Sequence, residues 1–139
     1  MADALEHLFG DRGRGILATI RHDGRPQLAT IDFCYDDAGR LARISTVDPS
    51  AKVTNLRRDP RASLYVATNG MGRYAVAEGT ADLSDVATDR DDDTVRELID
   101  VYRRVQGEHT DWEDYRTAMV RDRRLVIRLH VERFYGLSR

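Results

Sequence analysis

Gly15-Ile16-Leu17-Ala18-Thr19-Ile20-Arg21-His22-Asp23-Gly24-Arg25-Pro26-Gln27-Leu28-Ala29-Thr30-Ile31-Asp32-Phe33-Cys34-Tyr35 is a β-hairpin written out in residues. Gly15 to Ile20 is a short apolar run of the kind that forms a buried strand. His22-Asp23-Gly24-Arg25 is a turn with Asp-Gly at its centre, and Pro26, which has no N–H to donate, opens the returning strand. Gln27 to Tyr35 is rich in β-branched and aromatic residues. Asp36-Asp37-Ala38-Gly39 turns the chain again into a third strand, Arg40 to Val47. Three strands in succession joined by tight turns make an antiparallel meander.

The pattern continues outward from that meander. Ala2 to Gly10 sets Leu5, Leu8 and Phe9 at helical spacing. After the third strand, Asp48 to Pro60 reads as a short helix: Asp48 caps it, Pro49 takes its first position, and Pro60 stops it. Val53 and Leu56 are its core-facing residues. Ala62 to Ala67 is a fourth strand, Asn69-Gly70-Met71-Gly72 a flexible hairpin loop, and Arg73 to Leu83 a fifth strand. Gly79 inside it marks a bulge or a close backbone approach. Val95, Leu98, Ile99, Tyr102 and Val105 form the apolar stripe of a helix over Thr94 to Val105, ended by Gly107. A further helix is expected over Asp111 to Arg121, and alternating Leu125, Ile127, Leu129 and Val131 define a last strand, Arg124 to Tyr135. Six strands and about four short helices are most economically a small closed or split β-barrel.

Composition narrows the function classes. With 139 residues and 41% hydrophobic content the chain is expected to be one domain, residues 1–139, with a real core. A third of the residues are charged, the mean hydropathy is −0.55, and no apolar run approaches a membrane span. The N-terminus lacks a signal-peptide pattern, so the cytoplasm is the expected location. The single cysteine, Cys34, forms no internal disulfide, and no Cys/His spacing suggests zinc. A net charge of −2 gives no general attraction to nucleic acid or anionic membranes. Any anion site must therefore be built locally. Lys52 is the obvious place to look: of 22 Lys+Arg residues it alone is lysine, and it sits one turn inside the short helix. A helix N-terminus offers unpaired N–H groups and a positive dipole end, a compact ammonium can reach the same anion, and Ser50 adds a hydroxyl.

Several stretches, in order along nearly the whole chain, carry a family likeness: Gly15 to Ile20 with His22 to Leu28, Ala51-Lys52 with Asn55 to Ser63, Tyr74 to Ala81, Gly107-Glu108-His109-Thr110-Asp111-Trp112, and Tyr135-Gly136-Leu137. On them the chain resembles the pyridoxamine 5'-phosphate oxidase-like superfamily of split β-barrels, in particular its actinobacterial branch of coenzyme F420-dependent oxidoreductases. The resemblance implies a six-stranded antiparallel split β-barrel and a homodimer with two identical cofactor sites at the subunit interface. The flavin or deazaflavin ring would lie along the second and third strands, with Pro26, Gln27, Leu28 and Ala29 at its edge. Ser45 and Thr46 would reach the ribityl chain. Lys52, helped by Ser50 and Asn55, would take the phosphate, and Tyr74 would come from the partner. The implied activity is hydride transfer from reduced F420 to a small organic acceptor. The alternatives are an FMN-binding oxidoreductase and a non-catalytic F420 carrier. Two positions depart from the branch's pattern: Ser50 replaces a second basic residue, and Gly72 an aromatic. Arg57 and Arg58 are then the candidates to hold an anionic cofactor tail.

Other conspicuous residues read as structure. Arg58 and Arg61 suit the negative end of a helix dipole. His22 and Asp23 serve the turn, and His109 and Trp112 pack. Cys34 lies in an apolar strand without a neighbouring base and is expected to be an inert thiol. No nucleophile elbow is visible, and Asp89, Asp91, Asp92 and Asp93 lack the spacing of a calcium loop and are read as a solvated helix start.

Overall fold

A computed structural model describes residues 2–68, 70 and 72–138. The elements run α1 (Ala2–Phe9), β1 (Arg12–Ile20), β2 (Pro26–Asp36), β3 (Leu41–Val47), α2 (Ala51–Arg58), β4 (Arg61–Ala67), β5 (Tyr74–Leu83), α3 (Asp93–Gln106), α4 (Trp112–Arg121) and β6 (Arg124–Leu137). The six strands close an antiparallel barrel in the order β1-β2-β3-β6-β5-β4. Of the loop expected at Asn69 to Gly72, Asn69 and Met71 lie outside the described residues.

Alternation builds the barrel interior. Leu17, Ile31, Phe33, Ile44, Leu64, Ile127 and Leu129 point inward and are buried. α1 closes one mouth with Phe9, whose ring lies 5.4 Å from Phe33 and 5.3 Å from Phe134. α2 sits toward the other mouth, with Val53 and Leu56 buried. A second apolar layer covers the outside of the barrel. There Val95, Leu98 and Ile99 of α3 and Tyr115 and Met119 of α4 pack on Cys34 of β2 and Val126 of β6.

The expected bulge is present: the β5–β6 register shifts between Glu78 and Gly79. A Cβ on Gly79 would sit 2.9 Å from the His130 carbonyl carbon and 3.2 Å from Val131 Cα, so the close approach requires glycine. α3 ends at Gly107, at φ 90. The expected start of α2 is corrected. Pro49 follows Asp48 through a cis peptide and lies outside the helix, and Ser50 is the N-cap, its Oγ accepting from Val53 N at 3.4 Å. Asp48 is not the cap because two arginines hold its carboxylate, Arg57 Nη1 at 2.9 Å and Arg123 Nη2 at 3.1 Å. Asp92 caps α3, accepting from the Val95, Thr88 and Asp89 N–H groups. Burial alone would raise its carboxyl pKa, but these donors bring it below the ordinary range.

Candidate functional site

Pairing is short along two seams of the barrel: β1 meets β4 only from Ile16↔Tyr65 to Ala18↔Ser63, and β2 meets β3 over an equally short stretch. β2 pairs with β1 from Arg12↔Cys34 to Ile20↔Pro26, but with β3 only at Cys34↔Arg43, Tyr35↔Ala42 and Asp36↔Leu41. Beyond Cys34 the two strands part. The Tyr35 N–H is bonded to Asp11 O on the β1 side. Since the β1 register is unbroken, alternate residues Leu28, Thr30 and Asp32 turn their N–H and C=O groups toward the split, where no strand pairs with them. Unpaired backbone groups of this kind are donors and acceptors that need a partner.

A cavity of about 510 Å³ opens at the split. Thr30, Ile31 and Asp32 form one wall and Ser45, Thr46 and Val47 the other, while Lys52 and Arg124 stand at the end nearest α2 and the start of β6. Its outer wall is apolar and aromatic: Tyr102, Val105, Tyr115 and Met119. That wall is held in place twice. Tyr115 donates to Leu98 O at 3.0 Å, burial pushing its phenol up to about 12. A chain of ion pairs also ties α3 to the barrel, running Arg128–Glu97–Arg43–Asp100–Arg104. The volume falls within the range of small-molecule sites, and the wall composition matches their usual mix of apolar surface with a few convergent polar groups.

Electrostatically the α2 end of this cavity is cationic. The Lys52 ammonium has no carboxylate partner among the described residues, and burial, then the neighbouring Arg124, lower its pKa from 10.5. By contrast, a second cavity beside α1 is lined by Glu6, Asp11, Asp36 and Asp37, with Arg104 and His7. It is a poor place for an anion.

Of the eleven residues singled out in the sequence, Ser45, Thr46 and Lys52 line the cavity together. Pro26, Gln27, Leu28 and Ala29 continue the unpaired stretch of β2 beyond it, and Leu28 is 62% exposed. Ser50 caps α2, which leaves its hydroxyl proton free to donate. Asn55 is buried and donates to Thr19 Oγ1 at 3.1 Å, and Arg57 is paired with Asp48. Arg58 donates to Ile20 O. Tyr74 stacks on Tyr65, centroids 5.6 Å apart, and pairs with Leu137 at the end of β6 opposite Arg124. Arg124 was not among them. It comes from the far end of the sequence, and only the β3–β6 register, Val47↔Arg124, brings it beside Lys52. Its place in the run Arg121-Asp122-Arg123-Arg124 gives no signal of its own.

The pyridoxamine 5'-phosphate oxidase family profile matches residues 1–138. The chain belongs to that family. It is also 31% identical, over 96% of its length and 85% of the relative's, to an F420-dependent biliverdin reductase of Mycobacterium tuberculosis. Among solved structures, the conserved hypothetical protein Rv2991 of Mycobacterium tuberculosis superposes with a TM-score of 0.72 at 26% identity, covering 98% of this chain and 82% of that one. An F420 reductase superposes at 0.68 with 24% identity, covering 94% of each chain, a likeness of fold. In this family member, among the described residues, no helix is long and apolar enough to cross a membrane, and no His/Cys/Asp/Glu group is arranged to hold a metal ion. Cys34 is buried, its thiol pKa raised by desolvation.

Proposed function

We propose that the chain, as one domain in the cytoplasm, is a reductase that binds coenzyme F420 and serves hydride transfer to a small organic acceptor. The observation that carries this reading is the split between β2 and β3: unpaired backbone groups on one strand beside a cavity with two uncompensated cations at its end. The relative that acts on biliverdin with F420 supports the deazaflavin over FMN. When bound, the deazaflavin supplies the hydride and does not react readily with oxygen.

The residues present fit such a group. The Leu28, Thr30 and Asp32 backbone would hydrogen-bond the heteroatom edge of a planar ring, with Pro26, Gln27 and Ala29 in the same stretch. Ser45 is placed to meet a polyol chain, with Thr46, almost fully buried, beside it, and Lys52 with the Ser50 hydroxyl to meet a phosphate. Asn55, already bonded to Thr19 and Arg58, acts by holding α2 against β1. Arg57, in the last turn of α2, is the candidate for a longer acidic tail. The apolar wall of Tyr102, Val105, Tyr115 and Met119 keeps water from one side of the cavity. The protein thus contributes orientation and water exclusion, which is its expected share with a redox cofactor. The site is completed in a homodimer, with Tyr74 contributed by the partner.

The test is a titration of apo protein with F420 and FMN in parallel, followed by a panel of acceptors with the reduced cofactor. Micromolar F420 binding with much weaker FMN binding and acceptor turnover supports the reading. Tighter FMN binding moves the protein to the flavin branch. F420 binding without turnover of any acceptor makes it a carrier.

A further inference from the structure

Among the described residues, four arginines are drawn part-way into the protein: Arg43, Arg116, Arg124 and Arg128. Three of them meet carboxylates there: Arg43 meets Glu97 and Asp100, Arg116 meets Asp91 and Glu113, and Arg128 meets Glu97 and Asp82. Arg124 meets none among the described residues. Its Nε is buried without any acceptor, and its Nη1 makes only a long 3.4 Å hydrogen bond to Ser45 Oγ. Lys52, of the same sign, feels its charge, and the Asp122 carboxylate, already paired with Arg121, feels it only weakly at a distance.

Withdrawing a guanidinium from water without an acceptor is unfavourable, and a like charge alongside makes it more so. Elsewhere this chain supplies carboxylates freely to its arginines. The exception lies on the wall of the cavity at the split, and the group that relieves it must be an anion. We propose that Arg124 is the second cation of an anion site formed with Lys52 and Ser45, and that this site takes the phosphate of the cofactor.

The identity of the cofactor rests on the function proposed above; the anion site rests on the side chains alone. The assignment also accounts for Ser50. That residue stands where the resemblance expects a basic one, and it is occupied in capping α2. The missing charge is supplied from β6, a strand remote in sequence. Because Arg124 holds no carboxylate, replacing it leaves no orphaned acid, so Arg124→Gln and Arg124→Lys are expected to fold.

Paired ligands that differ only in phosphate test the idea: FMN against riboflavin, and F420 against its phosphate-free 8-hydroxy-5-deazaflavin precursor. Arg124→Gln is expected to weaken the phosphate-bearing ligand by roughly 10- to 100-fold, the scale of a lost charged hydrogen bond. It should leave the phosphate-free ligand unchanged, and Arg124→Lys should recover part of the loss. An equal loss on both ligands, or none on either, overturns the proposal. Inorganic pyrophosphate separates the two claims. Arg124-dependent thermal protection by pyrophosphate in a protein that binds neither chromophore would sink the cofactor reading and uphold the anion site. Wild-type protein that gains no protection from pyrophosphate and does not prefer phosphorylated ligands refutes the anion site.

Discussion

Replacing Lys52 with methionine should move binding and stability in different directions. Methionine keeps the length and apolar stem of the side chain and removes the charge. In the folded protein that charge is half buried, has no carboxylate partner among the described residues, and faces Arg124. Its lowered pKa means that folding disfavours the ammonium, so removing it takes away a penalty. The apo unfolding midpoint of Lys52→Met is therefore expected to stay level or rise. Binding should suffer: a hydrogen bond to a charged group contributes about 1.5–3 kcal/mol, or roughly 10- to 150-fold in Kd. The assay pairs a fluorescence titration of F420 with urea unfolding of the apo variant. Unchanged affinity removes Lys52 from the site. A stability loss above about 1 kcal/mol, more than an exposed ion pair contributes, would show that Lys52 has a structural partner and would refute the charge argument. Opposite signs in the two measurements are what a residue kept for function at the expense of folding predicts.

Other expectations follow from particular contacts. Gly79→Ala should destabilise by about 1–3 kcal/mol or more through overpacking, because the His130 backbone occupies the space of the new methyl group; an unchanged melting temperature would mean that the bulge relaxes freely. Asn55→Ala removes the partner of Thr19, which is 1% exposed, and should cost about 1–3 kcal/mol in urea unfolding; an unchanged midpoint would deny Asn55 its role as a strut. Tyr74, on β5, pairs with Leu137 at the end of β6 opposite Arg124, roughly 40 Å away along the strand, so one protomer cannot bring both to one ligand. Dilution to monomer, followed by sedimentation and fluorescence together, should abolish cofactor binding, and full affinity in a verified monomer would refute the interface site. Finally, cofactor affinity should fall as pH rises through the lowered pKa of Lys52, beginning below the 10.5 of a free lysine, with proton uptake on binding there; Lys52→Met should lose that alkaline limb, and a wild-type profile flat to pH 10 would contradict it.

Much of the fold was legible because its signals are local. The Asp-Gly turn, the alternation of β6 and the glycine in β5 each act within a few residues, and each lies where the sequence put it. The start of α2 was misread for a non-local reason. Asp48 is a good cap by composition, but Arg57 and Arg123 compete for its carboxylate, and the serine two positions on takes over. The position of the split has no local signal and was expected only through the family resemblance. Residues of β2 alternate through it without interruption, because alternation reports which face is buried and says nothing about which edge is paired. Lys52 stood out only through its rarity. Arg124, one arginine among many, acquires its significance from a register that no local pattern encodes.

These two illegible features belong to one physical problem. A closed barrel has no free edges, and strand edges left open invite pairing with another chain. This barrel closes β3 onto β6 along the whole of β3 and β4 onto β1 over a short stretch, yet leaves β2 bare from Pro26 to Phe33 on its β3 side. Nearby it also leaves an arginine without an acid while supplying acids to every other part-buried arginine. Either defect alone is a small loss of stability. Together at one cavity they define their complement: something flat with polar atoms on one edge and a negative charge at one end. A second copy of the chain could pair with the bare edge, but pairing would not neutralise Arg124 and Lys52. A free anion would satisfy the cations and leave the edge open. Only a ligand joining both features in one molecule relieves both, which is why catalytic side chains are scarce here and why the phosphate-deletion comparison bears so directly on function.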